Sequence, residues 1–92
     1  MQWMEVIKLH TADADQERLK QQLTELIKNI GADRSLKDIK LFHNALADND
    51  MRIHLHWKSG KAEQQGSATG QCLVHLLKEF GLTAHSVWIE EE

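Results

Sequence analysis

His54 and His56 flank Leu55 in the run Met51-Arg52-Ile53-His54-Leu55-His56-Trp57-Lys58. Side chains alternate along a strand, so residues two apart point the same way. The spacing therefore sets two imidazoles on one face, where they could share a metal ion. His10 is the candidate third ligand if its strand runs beside this one. Arg52 and Lys58 flank the pair and oppose the approach of a further cation. The other reading makes both histidines surface or interface residues.

Gly66-Ser67-Ala68-Thr69-Gly70-Gln71 offers different chemistry. It opens a helix, and the free N–H groups of a helix start can hold an anion. Ser67, Thr69 and Gly70 are the candidate anion-binding residues, with Lys58 and Lys61 upstream. The segment matches neither the P-loop nor the dinucleotide fingerprint, and Ser67 and Thr69 also suit plain helix capping. Cys72 falls in the first turn of this helix with His75 three residues on. A thiol there can be activated, but no orienting carboxylate or amide accompanies the pair. A lone Cys also serves as a small core residue. His85 and Ser86, with Glu79 nearby, include triad residue types. Strand neighbours point to opposite faces, so His85 and Ser86 do not pair readily.

The elements that must position these groups follow from periodicity. Residues 3 to 10 read as a strand of mixed polarity. Residues 14 to 30 read as a helix with Leu19, Leu23, Leu26, Ile27 and Ile30 on one face. Its expected start is a capping box of Asp13 and Gln16, with Thr11 as the alternative cap, and Gly31 is the expected C-terminal cap. Residues 37 to 43 alternate as a second strand, Asn44 to Asp50 read as a hairpin turn, and residues 51 to 58 alternate as a third strand. Ser59 to Thr69 is an irregular stretch. A second helix begins at Ser67 or Thr69 as cap, carries Leu73, Val74, Leu77 and Phe80 inward, and ends at Gly81. Residues 83 to 90 form the last strand, followed by an acidic tail.

The order strand-helix-strand-strand-helix-strand is the α+β, ferredoxin-like βαββαβ pattern: a four-stranded antiparallel sheet with two helices on one face. Parity sends Ile53, Leu55, Trp57, Val87, Ile89, Ile39 and Leu41 under the helices. The opposite face has no helix left to cover it. His54, His56, Trp88, Ser86, Phe42 and Lys40 fall there, joined by Met4, Val6, Lys8 and His10 from the first strand, whose own parity is ambiguous. This open face offers a sizeable apolar patch, which marks either a contact with another subunit or a small-ligand cleft. His54, His56, Trp88, Phe42, Ser86 and Val6 are its candidate ligand or interface residues.

Composition narrows the function classes. Ninety-two residues suit a single domain spanning 1–92. The formal net charge of −3 supplies no general attraction to nucleic acid or anionic membrane. The six histidines would carry that charge past zero in acid. An RNA-recognition motif shares the topology but places aromatics on strands one and three, where this chain has Met4, Val6, His54 and His56. One cysteine leaves no internal disulfide and suits the cytoplasm. Met1 leads into Gln2-Trp3-Met4-Glu5 without a signal-peptide pattern, and no run approaches a membrane span.

The topology, together with Ile53-His54-Leu55-His56-Trp57-Lys58-Ser59 and its Trp57-Lys58-Ser59 ending, resembles the dimeric α/β-barrel proteins of the antibiotic-biosynthesis-monooxygenase type. Gly66-Ser67-Ala68-Thr69-Gly70-Gln71, followed by Leu76-Leu77-Lys78-Glu79-Phe80-Gly81-Leu82 and His85-Ser86-Val87-Trp88, resembles a small bacterial group without assigned activity. The larger resemblance implies homodimers whose open sheet faces pack together. It also implies that some relatives oxidise aromatic substrates without a cofactor and that others degrade haem, with Trp57 carried over as a pocket residue. Haem-degrading relatives carry an Asn on the first strand and a helix His after Trp-x-Ser. This chain has no Asn from Trp3 to His10, and Ser67 and its neighbours stand at the second position. No cofactor is expected. The expected partner is a second copy of the chain, with a small-molecule ligand as the alternative.

Overall fold

Alternation along the first nine-residue segment decides the architecture. In the computed structural model, β1 spans Trp3–Thr11 and buries Trp3, Glu5, Ile7, Leu9 and Thr11 on one side. The structure describes residues 2–11, 16–30, 34–58 and 61–91, so the expected caps Asp13 and Gly31, and Ser59 of the Trp-x-Ser ending, lie outside the described residues. After β1 come α1 (Gln16–Ile30), β2 (Leu36–Asn44), β3 (Ala47–Trp57), α2 (Ala68–Leu77) and β4 (Gly81–Ile89). The sheet is antiparallel with order β2-β3-β1-β4. This is the ferredoxin-like α+β arrangement that the sequence predicts.

The core forms where the inward row of each central strand meets the helices. Ile7, Leu9, Ile53 and Leu55 pack with Leu19 and Leu23 of α1 and with Leu73, Leu77 and Phe80. Trp3 and Trp57 oppose each other across β1 and β3. Their rings stack 5.6 Å apart, an aromatic pairing that adds to plain burial. Ile39, Leu41 and Ile89 share the inward parity, but Leu41 and Ile89 remain exposed because β2 and β4 are the sheet edges.

Three expected boundaries are corrected. The hairpin turn is only Ala45 and Leu46, and β3 begins at Ala47 rather than 51. Asn44 makes the short turn by accepting the Leu46 N–H at 2.8 Å, the local side-chain turn that Asn favours. A register shift follows at once, from Asn44 opposite Ala47 to His43 opposite Met51. Asn49 then bonds reciprocally with Thr11 of β1. The second helix stops at Leu77, and Lys78–Phe80 is a 3-10 turn. Finally β4 starts at Gly81 rather than 83. A Cβ at Gly81 would strike the carbonyl of His10, so the strand enters the sheet tight against β1.

Candidate functional site

Register fixes the open face. Val6 lies between His54 of β3 and Ser86 of β4, and Met4 lies between His56 and Trp88. Lys40 of β2 stands opposite His54, and Phe42 opposite Arg52. All six candidate ligand or interface residues therefore share one face: His54, His56, Trp88, Phe42, Ser86 and Val6. The Phe42 and His54 rings lie 4.7 Å apart, and the His54 and His56 rings 6.1 Å apart. Trp88 is 57% exposed and Phe42 46%, and Leu82, on the same face by its pairing with His10, is 78% exposed. Trp88 donates its indole N–H to Ser86 at 2.9 Å, which holds the ring over the edge strand.

His54 is the unusual polar group here. Its Nε2 is shut from solvent with no hydrogen-bond partner among the described residues. Burial lowers its pKa from the ordinary histidine value, and His56, Arg52 and Lys40 lower it further. At the end of the face, Gln2, Trp3, Met4, His56, Trp88, Ile89 and Glu90 line a cleft of about 320 Å³.

The expected metal set does not assemble. His10 pairs with Asp50 and Leu82, four residues along β1 from Val6, which is roughly 13 Å at strand rise. No group of three His, Cys, Asp or Glu side chains among the described residues is placed to hold a metal ion. Cys72 is exposed on α2 and lines an apolar groove with Leu26, Leu73 and Leu76.

Beneath the sheet the structure holds a group that pattern reading missed. Glu5 is fully buried and accepts four hydrogen bonds. Trp57 Nε1 donates to Oε2 at 2.7 Å, and Ser67 Oγ to the same oxygen at 2.6 Å. The Ser67 backbone N–H donates to Oε1 at 2.9 Å. His85 Nε2 reaches Oε1 at 2.8 Å, as a donor in the tautomer that suits a carboxylate. Ser67 Oγ in turn accepts the Gly70 N–H at 2.9 Å and so caps α2. The anion expected at Ser67 and Gly70 is thus the chain's own Glu5, and these donors are committed inside the fold. Thr69 stands apart from this network, on the rim of a cleft of about 360 Å³ with Trp3, Trp57, Lys58 and Lys61.

His85 and Ser86 divide as strand parity requires: His85 turns to Glu5, Ser86 to the open face. Two glycines make room for the carboxylate. A Cβ at Gly70 would strike Glu5 Oε1, and one at Gly66 would strike the His85 ring. Gly66 also has φ of 92°, which side-chain-bearing residues rarely adopt. The signal in the sequence was the row Trp3, Glu5, Ile7, Leu9, in which one acid occupies an inward position.

Three solved structures share this architecture. A conserved protein from Methanosarcina mazei Go1 superposes with a TM-score of 0.81 at 14% identity, covering 99% of this chain and 94% of that one. The fold they share with this chain is the ferredoxin-like α+β arrangement. Rv0793 from Mycobacterium tuberculosis matches this fold with a TM-score of 0.76 at 14% identity, covering 100% of this chain and 97% of its own. SnoaB, a cofactor-independent oxygenase from Streptomyces nogalater, matches at 0.76 and 11% identity, covering 99% and 94%. At such identities the likeness to these structures is one of fold. No family model and no curated protein matches the sequence.

Proposed function

We propose that this chain, as a single domain spanning 1–92, acts as a homodimeric binding module that closes its open sheet face against a second copy. The observation that carries the reading is three exposed large apolar side chains, Phe42 on edge strand β2 and Trp88 and Leu82 on edge strand β4, on the side of the sheet that neither described α-helix covers. Large rings left in water on one face favour burial against a matching surface, and a two-fold contact presents the same patch twice. The fold shared with the dimeric α/β-barrel group supports it. The lone Cys72 suits a reducing compartment, and among the described residues no helix is long and apolar enough to cross a membrane. Both fit a place in the cytoplasm.

Sedimentation equilibrium across a wide concentration range tests the reading. The native chain should dimerise, and the double change Phe42→Ser and Trp88→Ser should weaken the dimer at least about tenfold while leaving the circular dichroism native. A native chain that stays monomeric throughout sinks the proposal.

A second reading rests on the cleft that His56, Met4 and Trp88 line and on the oxygenase among the neighbours. In it the open face binds a small aromatic molecule for oxidation without a cofactor. A hydroxylated naphthalene should then quench Trp88 fluorescence saturably, and His56→Ala should abolish that binding. Lack of saturable quenching counts against this reading.

A further inference from the structure

His54 and His56 lie in the middle of the open face among mostly positive neighbours. On β3, Arg52 is two residues from His54, and Asp50 two further on. From β1 come Lys8, opposite Arg52, and His10, opposite Asp50. From β2 come Lys40, opposite His54, and Asp38, opposite His56. The β4 residues on this face are Leu82, Ala84, Ser86 and Trp88, none of which titrates, and just beyond β4 the acid Glu90 lines the cleft beside His56. Of the acids on the strands of this face, Asp38 pairs with Lys40 at 3.9 Å, and Asp50 accepts from Asn44 at 3.3 Å. His54 is thus crowded by Lys40 and Arg52, with its Nε2 closed off from water.

We propose that closure of this face is gated by protons: two copies join with His54 and His56 uncharged and separate when those imidazoles become charged. The inference rests on the homodimer reading. A two-fold contact brings the same residues from both copies together. Charging both histidines in each copy would place four imidazolium groups in one interface already lined by Lys8, Lys40 and Arg52 of both. A buried charge without a partner is strongly unfavourable, so the joined form holds fewer protons than the separate chains.

The sign of the effect follows from linkage. Where the separate chains bind more protons, lowering the pH favours separation. Each imidazole that must stay neutral weakens association about tenfold per pH unit below its value in the free chain. For the two His54 side chains together that is about 100-fold per unit. Burial already holds His54 below the ordinary value, so its transition sits below about pH 6.5.

Sedimentation equilibrium at about pH 7.5 and about pH 5 tests this, on the native chain and on the double variant His54→Asn, His56→Asn, with circular dichroism at both values. The native Kd should rise at least about tenfold in acid, and the variant should lose most of that rise. An unchanged native Kd, or an equal rise in the variant, overturns the gate while leaving the homodimer in place. A native chain monomeric at both values overturns the homodimer and the gate together. Ring-proton NMR of the native chain gives the same answer without a variant. The His54 midpoint should fall as protein concentration is raised through the Kd, and a midpoint independent of concentration overturns the gate.

Discussion

Glu5 ties three elements through one side chain. Four donors from β3, β4 and the start of α2 converge on a carboxylate with no exposed surface. Charge-assisted bonds of this kind are the stronger ones, and leaving such donors buried and unpaired is costly. Gly70 is where this shows most sharply. Gly→Ala in a helix ordinarily stabilises by about 1 kcal/mol. Here the added methyl would strike Glu5 Oε1, so Gly70→Ala should destabilise by about 1–3 kcal/mol, the range for overpacking. Urea unfolding at neutral pH reads the sign, and a gain in stability would refute the close approach. The acid itself was plainly visible in the sequence. Placing Met4 and Val6 on the open face turns Glu5 inward, but apolar residues at both parities blur the alternation from Trp3 to His10, so its side of the sheet was legible only through theirs.

At the scale of elements, the strands and helices were legible wherever alternation was clean. β3 is the best case: Ile53, Leu55 and Trp57 inward, His54 and His56 outward. Its first residues, Ala47 to Asp50, lack that alternation and read as turn, yet Asn49 pairs with Thr11 and extends the strand. Tertiary pairing overrode local composition there. The start of α2 is held by Ser67, which caps the helix and donates to Glu5 at once. Losing such a cap costs about 1 kcal/mol, and here the loss also strips one donor from Glu5. Ser67→Ala should therefore lower stability by about 2 kcal/mol. It should also raise amide exchange at Gly70, whose N–H loses its acceptor. Unchanged protection at Gly70 would show that the cap does not hold the helix start.

For the whole molecule, the two faces of one sheet carry different chemistry. The covered face is apolar around a single satisfied acid; the open face mixes rings, cations and histidines. Topology and parity gave the membership of the open face, because both depend on alternation alone. The gathering around Glu5 was not legible, because it joins residues as far apart in sequence as 5 and 85. That gathering constrains how the sequence can diverge. The Glu5 carboxylate fits only where positions 66 and 70 lack a Cβ. Across descendants of this chain, sites 5 and 70 should be inherited as a pair: a lineage that acquires a methyl at 70 should also have shortened or replaced the acid at 5, and one that loses the acid should be free to lose the glycine at 70, while Gly66 stays for its own backbone angle.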